Sequence, residues 1–200
     1  MPQIARLEFE RLPLRVHDFL VDVPLHDVWA VDLSRTPSGI TLHEFLRVAS
    51  PDQCKLSPGT RALLNIRFRL GRLLGWDHEP AGVEGETFAT RMTAADRAKS
   101  LIPAGTREGL FRVVYRFENE QLLEVINRTV HGGALSALVE AGNAYRFYFG
   151  VYVRSVSRFT PVYMTMIDPF RKLVVCPSLL RGVRSQWDKL WAQPGTGTSF

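Results

Sequence analysis

The sequence predicts an α+β fold: a curved antiparallel sheet wrapped around a long C-terminal helix, with additional helices toward the N-terminus. Three observations carry this. Residues 61–76, RALLNIRFRLGRLLGW, place apolar side chains at helical spacing. After Gly109 the apolar period becomes two over several long segments. Past Pro169 the chain ends in RKLVVCPSLLRGVRSQWDKLW, which reads as an amphipathic helix. A sheet followed by one long closing helix implies a sheet gripping that helix, with a cavity between them.

Residues 1–17 read as a charged lead-in or short strand. His17–Val23 alternates apolar and acidic residues, predicting a strand with Phe19, Val21 and Val23 on one face, ended by Pro24. In LHDVWAVDL, Leu25, Val28 and Trp29 predict a short helix, while the valines leave a strand open. SRTPSG at 34–39 is a loop. Thr41 and Glu44 fit a capping box, so a helix is expected to about Val48, with His43 exposed in its first turn. Leu63, Ile66, Leu70, Leu73 and Leu74 form the stripe of the next helix. Gly71 inside it costs about 1 kcal/mol relative to Ala, so close packing of a neighbour is expected there.

Residues 77–109 are polar and hold several Gly and Pro. A structureless loop of that length is unusual, so a short helix is expected near Ala94–Lys99, with the remainder able to act as a lid. Leu110–Phe117, Leu122–His131 and Ala144–Ser157 read as strands, the first two joined by a turn at Glu118-Asn119-Glu120. Ala134–Ala141 fits strand or helix, and Val162–Ile167 reads as the last strand. Trp187 and Trp191, with Leu179, Leu180 and Val183, give the closing helix a packing stripe. A single domain over 1–191 and a disordered polar tail over 192–200 are expected.

The strand faces suggest a pocket. Phe111, Val113, Tyr115 and Phe117 share one face, opposite Arg112 and Arg116. Leu123, Val125, Asn127, Thr129 and His131 share another, opposite Glu124 and Arg128. Tyr145, Phe147, Phe149, Val151 and Val153 oppose Arg146 and Arg154. A buried unpaired charge is costly, so the charged faces are expected to see water and the others to look inward. The inward face grades from apolar to polar toward His131, as a ligand pocket requires. His131 and Thr129 equally fit a strand end that meets solvent.

The 200 residues carry a formal net charge of +5, mostly through arginine. The arginines are dispersed among acids, which favours solvated faces over a nucleic-acid surface. The two cysteines, Cys54 and Cys176, are far apart and fit a reduced, cytoplasmic protein. The N-terminus has no signal-peptide h-region, and no uncharged apolar run is long enough to span a membrane. Nucleotide fingerprints, the GxSxG elbow and HExxH are absent. Asp77-His78-Glu79 is poorly spaced for a metal, and no metal or cofactor is expected.

The run Tyr163-Met164 to Ile167-Asp168-Pro169-Phe170-Arg171 before a helix ending in Trp187, together with Arg67–Asp77 and a strand ending in His131, resembles a group of bacterial domains of unknown function. These are similar to the START/polyketide-cyclase-like (SRPBCC, helix-grip) superfamily, which Val23-Pro24 and Val28-Trp29 also resemble. The resemblance implies a cavity for a lipid or polyketide-like apolar molecule. Fold alone does not settle function.

The expected binding residues are Tyr115, Asn127, Thr129, His131, Tyr145, Phe147, Phe149, Met164, Met166 and Trp187. The first reading is a module that binds an apolar small molecule. The alternative is a cyclase- or dehydratase-like enzyme in the same pocket. In that reading His131 serves as acid or base, because histidine titrates near neutrality, and Tyr115, Asn127 or Tyr145 orients the substrate.

Overall fold

The computed structural model describes residues 4–34, 39–48, 87–127, 130–142, 144–156, 158 and 160–191. Two short helices open the chain, α1 (Arg6–Glu10) and α2 (Arg15–Phe19), before β1 (Leu25–Leu33) and α3 (Leu42–Val48). A 3-10 turn (Phe88–Arg91) and α4 (Ala94–Lys99) precede β2 (Arg107–Glu108), β3 (Phe111–Arg116), β4 (Glu120–Ile126), β5 (His131–Ala141) and β6 (Ala144–Arg154). The C-terminal arm is α5 (Thr160–Phe170), a π-helical turn (Arg171–Val175) and α6 (Cys176–Trp191). The fold is α+β: a curved sheet of six antiparallel strands, ordered β1-β6-β5-β4-β3-β2, with the long C-terminal arm and α3 on one face and α1 and α2 on the other.

Both faces of the sheet are buried, which explains why β1 does not alternate cleanly. On one face Val28, Ala30, Leu122, Leu135, Tyr148 and Tyr152 pack against Phe9, Val16, Phe19 and Phe88. On the other, Trp29, Val31, Leu33 and Phe147 pack against Cys176, Leu180, Val183 and Trp187 of α6. Trp187 Nε1 donates to the Ser34 carbonyl at 2.9 Å, tying α6 to the end of β1.

The capping box at Thr41–Glu44 forms: Glu44 N donates to Thr41 Oγ1 at 3.1 Å and Thr41 N to Glu44 Oε2 at 3.0 Å. The hairpin turn at 118–120 also forms, closed by Phe117 N donating to Glu120 O at 2.8 Å. The helix expected near Ala94–Lys99 is α4, capped reciprocally by Thr93 and Asp96. Phe88 and Met92 sit in the core, so residues 87–92 are built into the fold rather than forming a lid. The expected helix over 61–76, Gly71, residues 77–86 of the expected lid, Thr129 and the tail over 192–200 lie outside the described residues.

Several expectations are corrected. His17–Val23 is not a strand: Arg15–Phe19 is helical, and Val21 is 84% exposed rather than facing inward with Phe19. The cause is distant in sequence, because the Glu120 carboxylate accepts from the first backbone N–H groups of α2, Arg15 N at 2.8 Å and Val16 N at 2.9 Å. Leu25–Leu33 takes the strand alternative, and Ala134–Ala141 falls inside strand β5. Val162–Ile167 is helical, since Thr160, Tyr163, Met164 and Ile167 point inward at i, i+3, i+4, i+7.

The strand parity also fails, at two places. An extra residue in β3 between Val113 and Tyr115 is a bulge, which moves Tyr115 and Phe117 to the N-terminal face. The strand expected at Leu122–His131 stops at Ile126, Asn127 N donates to Val130 O at 3.0 Å, and β5 starts at His131. The charged side of β4 does not see water. Glu120 and Glu124 are buried because partners satisfy them: Tyr115 Oη donates to Glu120 at 2.6 Å, and Phe88 N and His131 Nε2 donate to Glu124.

Two outcomes follow. Glu120→Ala orphans two backbone N–H groups and a buried hydroxyl, so urea denaturation is expected to show a loss of about 3 kcal/mol, against about 1 kcal/mol for Tyr115→Phe. The Arg15 side chain holds the Asp96 carboxyl down to about 2, below its ordinary 3.8. The folded form therefore gains stability above that ordinary value. Roughly 2 kcal/mol is lost as pH falls from about 4 to about 2, and Asp96→Asn should flatten that limb of a stability–pH curve.

Candidate functional site

Two backbone irregularities face each other across the C-terminal side of the sheet. Leu25 pairs with Tyr152 and Asp27 with Val151, so β1 carries one more residue than β6 at His26. In a regular strand His26 and Asp27 would point to opposite faces. The bulge turns both toward α5. Leu25 packs instead with the N-terminal core.

On the facing arm, Pro169 lies inside α5 and can donate no backbone hydrogen bond. The turn widens immediately afterwards into the π-helical segment Arg171–Val175. Wider turns of this kind re-aim side chains and recur at functional sites. Asp168 and Arg171, three residues apart, both reach β1.

The result is a relay of polar groups. Trp29 Nε1 donates to Asp27 Oδ1 at 3.2 Å, and Arg171 Nη1 donates to the same oxygen at 2.9 Å. Arg171 Nη2 donates to Asp27 Oδ2 and, at 2.9 Å, to Asp168 Oδ1. His26 Nε2 lies 2.9 Å from both Asp168 oxygens, and Lys172 Nζ lies 3.0 Å from Oδ2. The Asp27 side chain has 0% exposure and that of Arg171 14%. Burial alone would push the Asp168 carboxyl up, but hydrogen bonds from Arg171, His26 and Lys172 outweigh it and hold it down to about 2. Burial also lowers the Arg171 pKa, yet Asp27 and Asp168 raise it further, so its charge is permanent. Beside it, burial pushes the Cys176 thiol up to about 11, which keeps it protonated and inert at neutral pH.

His26 and Asp168 of this relay line a cleft of about 390 Å³ between the ends of β1 and β6 and helix α5. Pro24, Leu25, Val153, Pro161 and Met164 supply apolar lining. His26, Asp168, Ser155, Thr160 and Thr165 supply polar groups. Along the same face of β6 the closure changes steadily. Tyr145 and Phe147 are buried under Trp187, Phe149 and Val151 are half-buried, and Val153 opens into the cleft.

A family model described as "Protein of unknown function (DUF2867)" matches residues 19–178. This chain belongs to the DUF2867 family. No match was found among curated proteins or among solved structures. The matched span of DUF2867 contains the whole relay, from His26 to Arg171.

The residues expected to form one pocket in this DUF2867 chain divide among separate places. Tyr115 and His131 lie on the N-terminal face, where His131 stacks on Phe88 with ring centroids 3.9 Å apart. Asn127 sits in the β4–β5 turn, its Oδ1 accepting from Val130 N at 2.9 Å. Tyr145, Phe147 and Trp187 fill the core beneath α6, with half-buried Phe149 at its margin. Tyr145 and Trp187 approach to 5.2 Å between ring centroids. Met166 is 56% exposed on α5. Met164 alone of the described members lines the cleft. His26, Asp27, Asp168 and Arg171 went unnoticed as a site. The available signals were adjacent His and Asp inside an apolar strand, and Asp and Arg three residues apart around a proline.

Removing one partner of the buried pair should be costly. Arg171→Met leaves Asp27 uncompensated and is expected to lose about 3–5 kcal/mol in urea denaturation. Asp27→Asn combined with Arg171→Met should recover part of that loss. For Asp168 the folded pKa is depressed, so its contribution is present above about 4 and disappears as pH falls toward about 2. His26→Ala should shrink that acid-side loss, measured as the change in denaturation midpoint with pH.

Proposed function

We propose that this DUF2867 protein is a START-like, helix-grip binding module of the cytoplasm that takes a largely apolar small molecule between the sheet and the C-terminal arm. The observation that supports it is the cleft: about 390 Å³, apolar on most of its lining, with a small convergent set of polar groups. That combination and size are typical of small-molecule sites. The molecule enters at the α5 end, where Val153 and Met164 form the floor, because the α6 end is filled by Trp187 and its aromatic neighbours. The relay fixes the mouth, since the His26–Asp168 and Asp27–Arg171 contacts hold the arm against β1 without relying on the ligand.

Among the described residues no helix is long and apolar enough to cross a membrane. The ligand is therefore pictured as reaching the cleft from water, or by extraction from a membrane surface.

A thermal-shift screen with fatty acids, aromatic polyketide-like compounds and neutral alkylphenols tests the reading. A true ligand at about a hundred times its Kd adds about 2.7 kcal/mol, which raises Tm by roughly 5–10 °C for a domain of this size. Thr165→Trp, which fills the cleft from an exposed helix position, should abolish the rise while leaving the ligand-free Tm nearly unchanged. A ligand-induced rise that survives Thr165→Trp places binding elsewhere and defeats the reading.

A further inference from the structure

The polar end of the cleft carries information about the ligand itself, provided the binding reading above holds. His26 Nε2 lies 2.9 Å from both oxygens of Asp168. That carboxyl is held down to about 2, so at neutral pH it is ionised and can only accept. The ring nitrogen facing it must therefore be the N–H. In a neutral imidazole the other nitrogen, Nδ1, then carries the lone pair. Among the described residues Nδ1 has no partner, and the ring lines the cleft with a quarter of its side-chain surface exposed (26%).

Other hydroxyls in the cleft are already committed in part. Thr165 Oγ1 donates to the Pro161 carbonyl at 2.9 Å, and Thr160 Oγ1 accepts from Val156 N at 3.2 Å. The charges around the ring cancel. Asp27 lies beside it on β1, and Asp168, Arg171 and Lys172 lie on the facing arm, two negative and two positive. An anionic head group meets no net positive field here, and it would set its own lone pairs against that of Nδ1.

We propose that His26 selects the ligand: its Nδ1 accepts a hydrogen bond from an O–H group on an otherwise apolar, uncharged molecule, an alcohol, phenol or enol rather than a carboxylate. Asp168 is the positioning residue, fixing the tautomer and orientation of the ring, and Arg171 fixes Asp168 in turn.

The test has two arms. In the first, protein labelled with ¹⁵N-histidine is examined by long-range ¹H–¹⁵N spectroscopy without ligand. The expected result is His26 protonated on Nε2 with a bare Nδ1, and an Nδ1–H tautomer overturns the proposal. In the second, 4-propylphenol, its methyl ether 4-propylanisole and 4-propylbenzoate are titrated while the Met164 methyl resonance is followed. The phenol should bind about tenfold more tightly than the ether, the worth of one net hydrogen bond. The benzoate should bind no better than the ether. In His26→Phe, and in Asp168→Asn, the ratio of phenol to ether affinity should fall to about one.

Equal binding of phenol and ether to the unaltered protein overturns the assignment of His26 and leaves the cleft as an apolar site. So does a preference that persists in His26→Phe, or tighter binding of the benzoate. Should none of the three probes move the Met164 methyl, the cleft reading fails, and this inference falls with it.

Discussion

Asp27 is a carboxylate with no exposed side-chain surface, and Arg171 is its counter-ion across the gap between strand and helix. Neither can be buried alone. An isolated ion in an apolar interior costs several kcal/mol, and the pair is tolerable only because the guanidinium meets both carboxylate oxygens and Trp29 donates to one of them as well. The pair thereby dictates position. Were α5 to slide or rotate, both charges would lose their partners, so the arm has one allowed seat on β1. Asp168 is placed by that seat, and His26 is oriented by Asp168. The geometry of the cleft's polar end is thus set by a contact that does not itself line the cleft.

The two faces of the sheet solve opposite problems with the same kind of group. On the N-terminal side, Glu120 and Glu124 are buried acceptors that collect backbone N–H groups from segments with few contacts of their own. Glu120 caps α2, and Glu124 accepts from the start of the 3-10 turn. The aromatic side chains around them, Phe19 against Tyr115 and Phe88 against His131, close the space. On the C-terminal side apolar packing is complete only beneath α6. Toward α5 the lining shortens to Leu25, Val153 and Met164, and a volume remains.

The sequence displays the segments and the order of the architecture better than the directions of individual side chains. The α4 cap, the hairpin at 118–120, the closing helix and the apolar faces of β6 follow from local chemistry, which acts over three or four residues. The misreadings share a physical cause. A bulge is one inserted residue, and it reverses every side chain beyond it; Tyr115 and His26 are both displaced in this way. Helix α2 exists because of a carboxylate 104 positions away, which no local window contains. The alternating Tyr163 to Met166 has strand-like residues but buries them at helical spacing, and only the packed arm distinguishes the two. His131 drew notice as a histidine in an apolar strand, yet its position is explained by Glu124 and Phe88. His26, in the same kind of context, opens onto the cleft, whereas His131 is fully buried.

That last difference bears on where a site can be. Regular elements would not have produced the His26–Asp168 contact. An unbroken β1 sends His26 and Asp27 to opposite faces, so a helix bonded to one could not reach the other. An unbroken helix through 169–175 would carry the α5 stripe directly into that of α6, with no widened turn where Arg171 leaves toward Asp27. Each irregularity gives up part of a backbone hydrogen-bond pattern, and packing elsewhere has to offset it. They occur opposite one another, at the end of the grip where the volume is open, and are absent from the paired stretch of β1 and β6 over 27–33 and 145–151, where that volume closes. Structural need alone gives no reason for that coincidence; a pocket whose polar end must be aimed gives one.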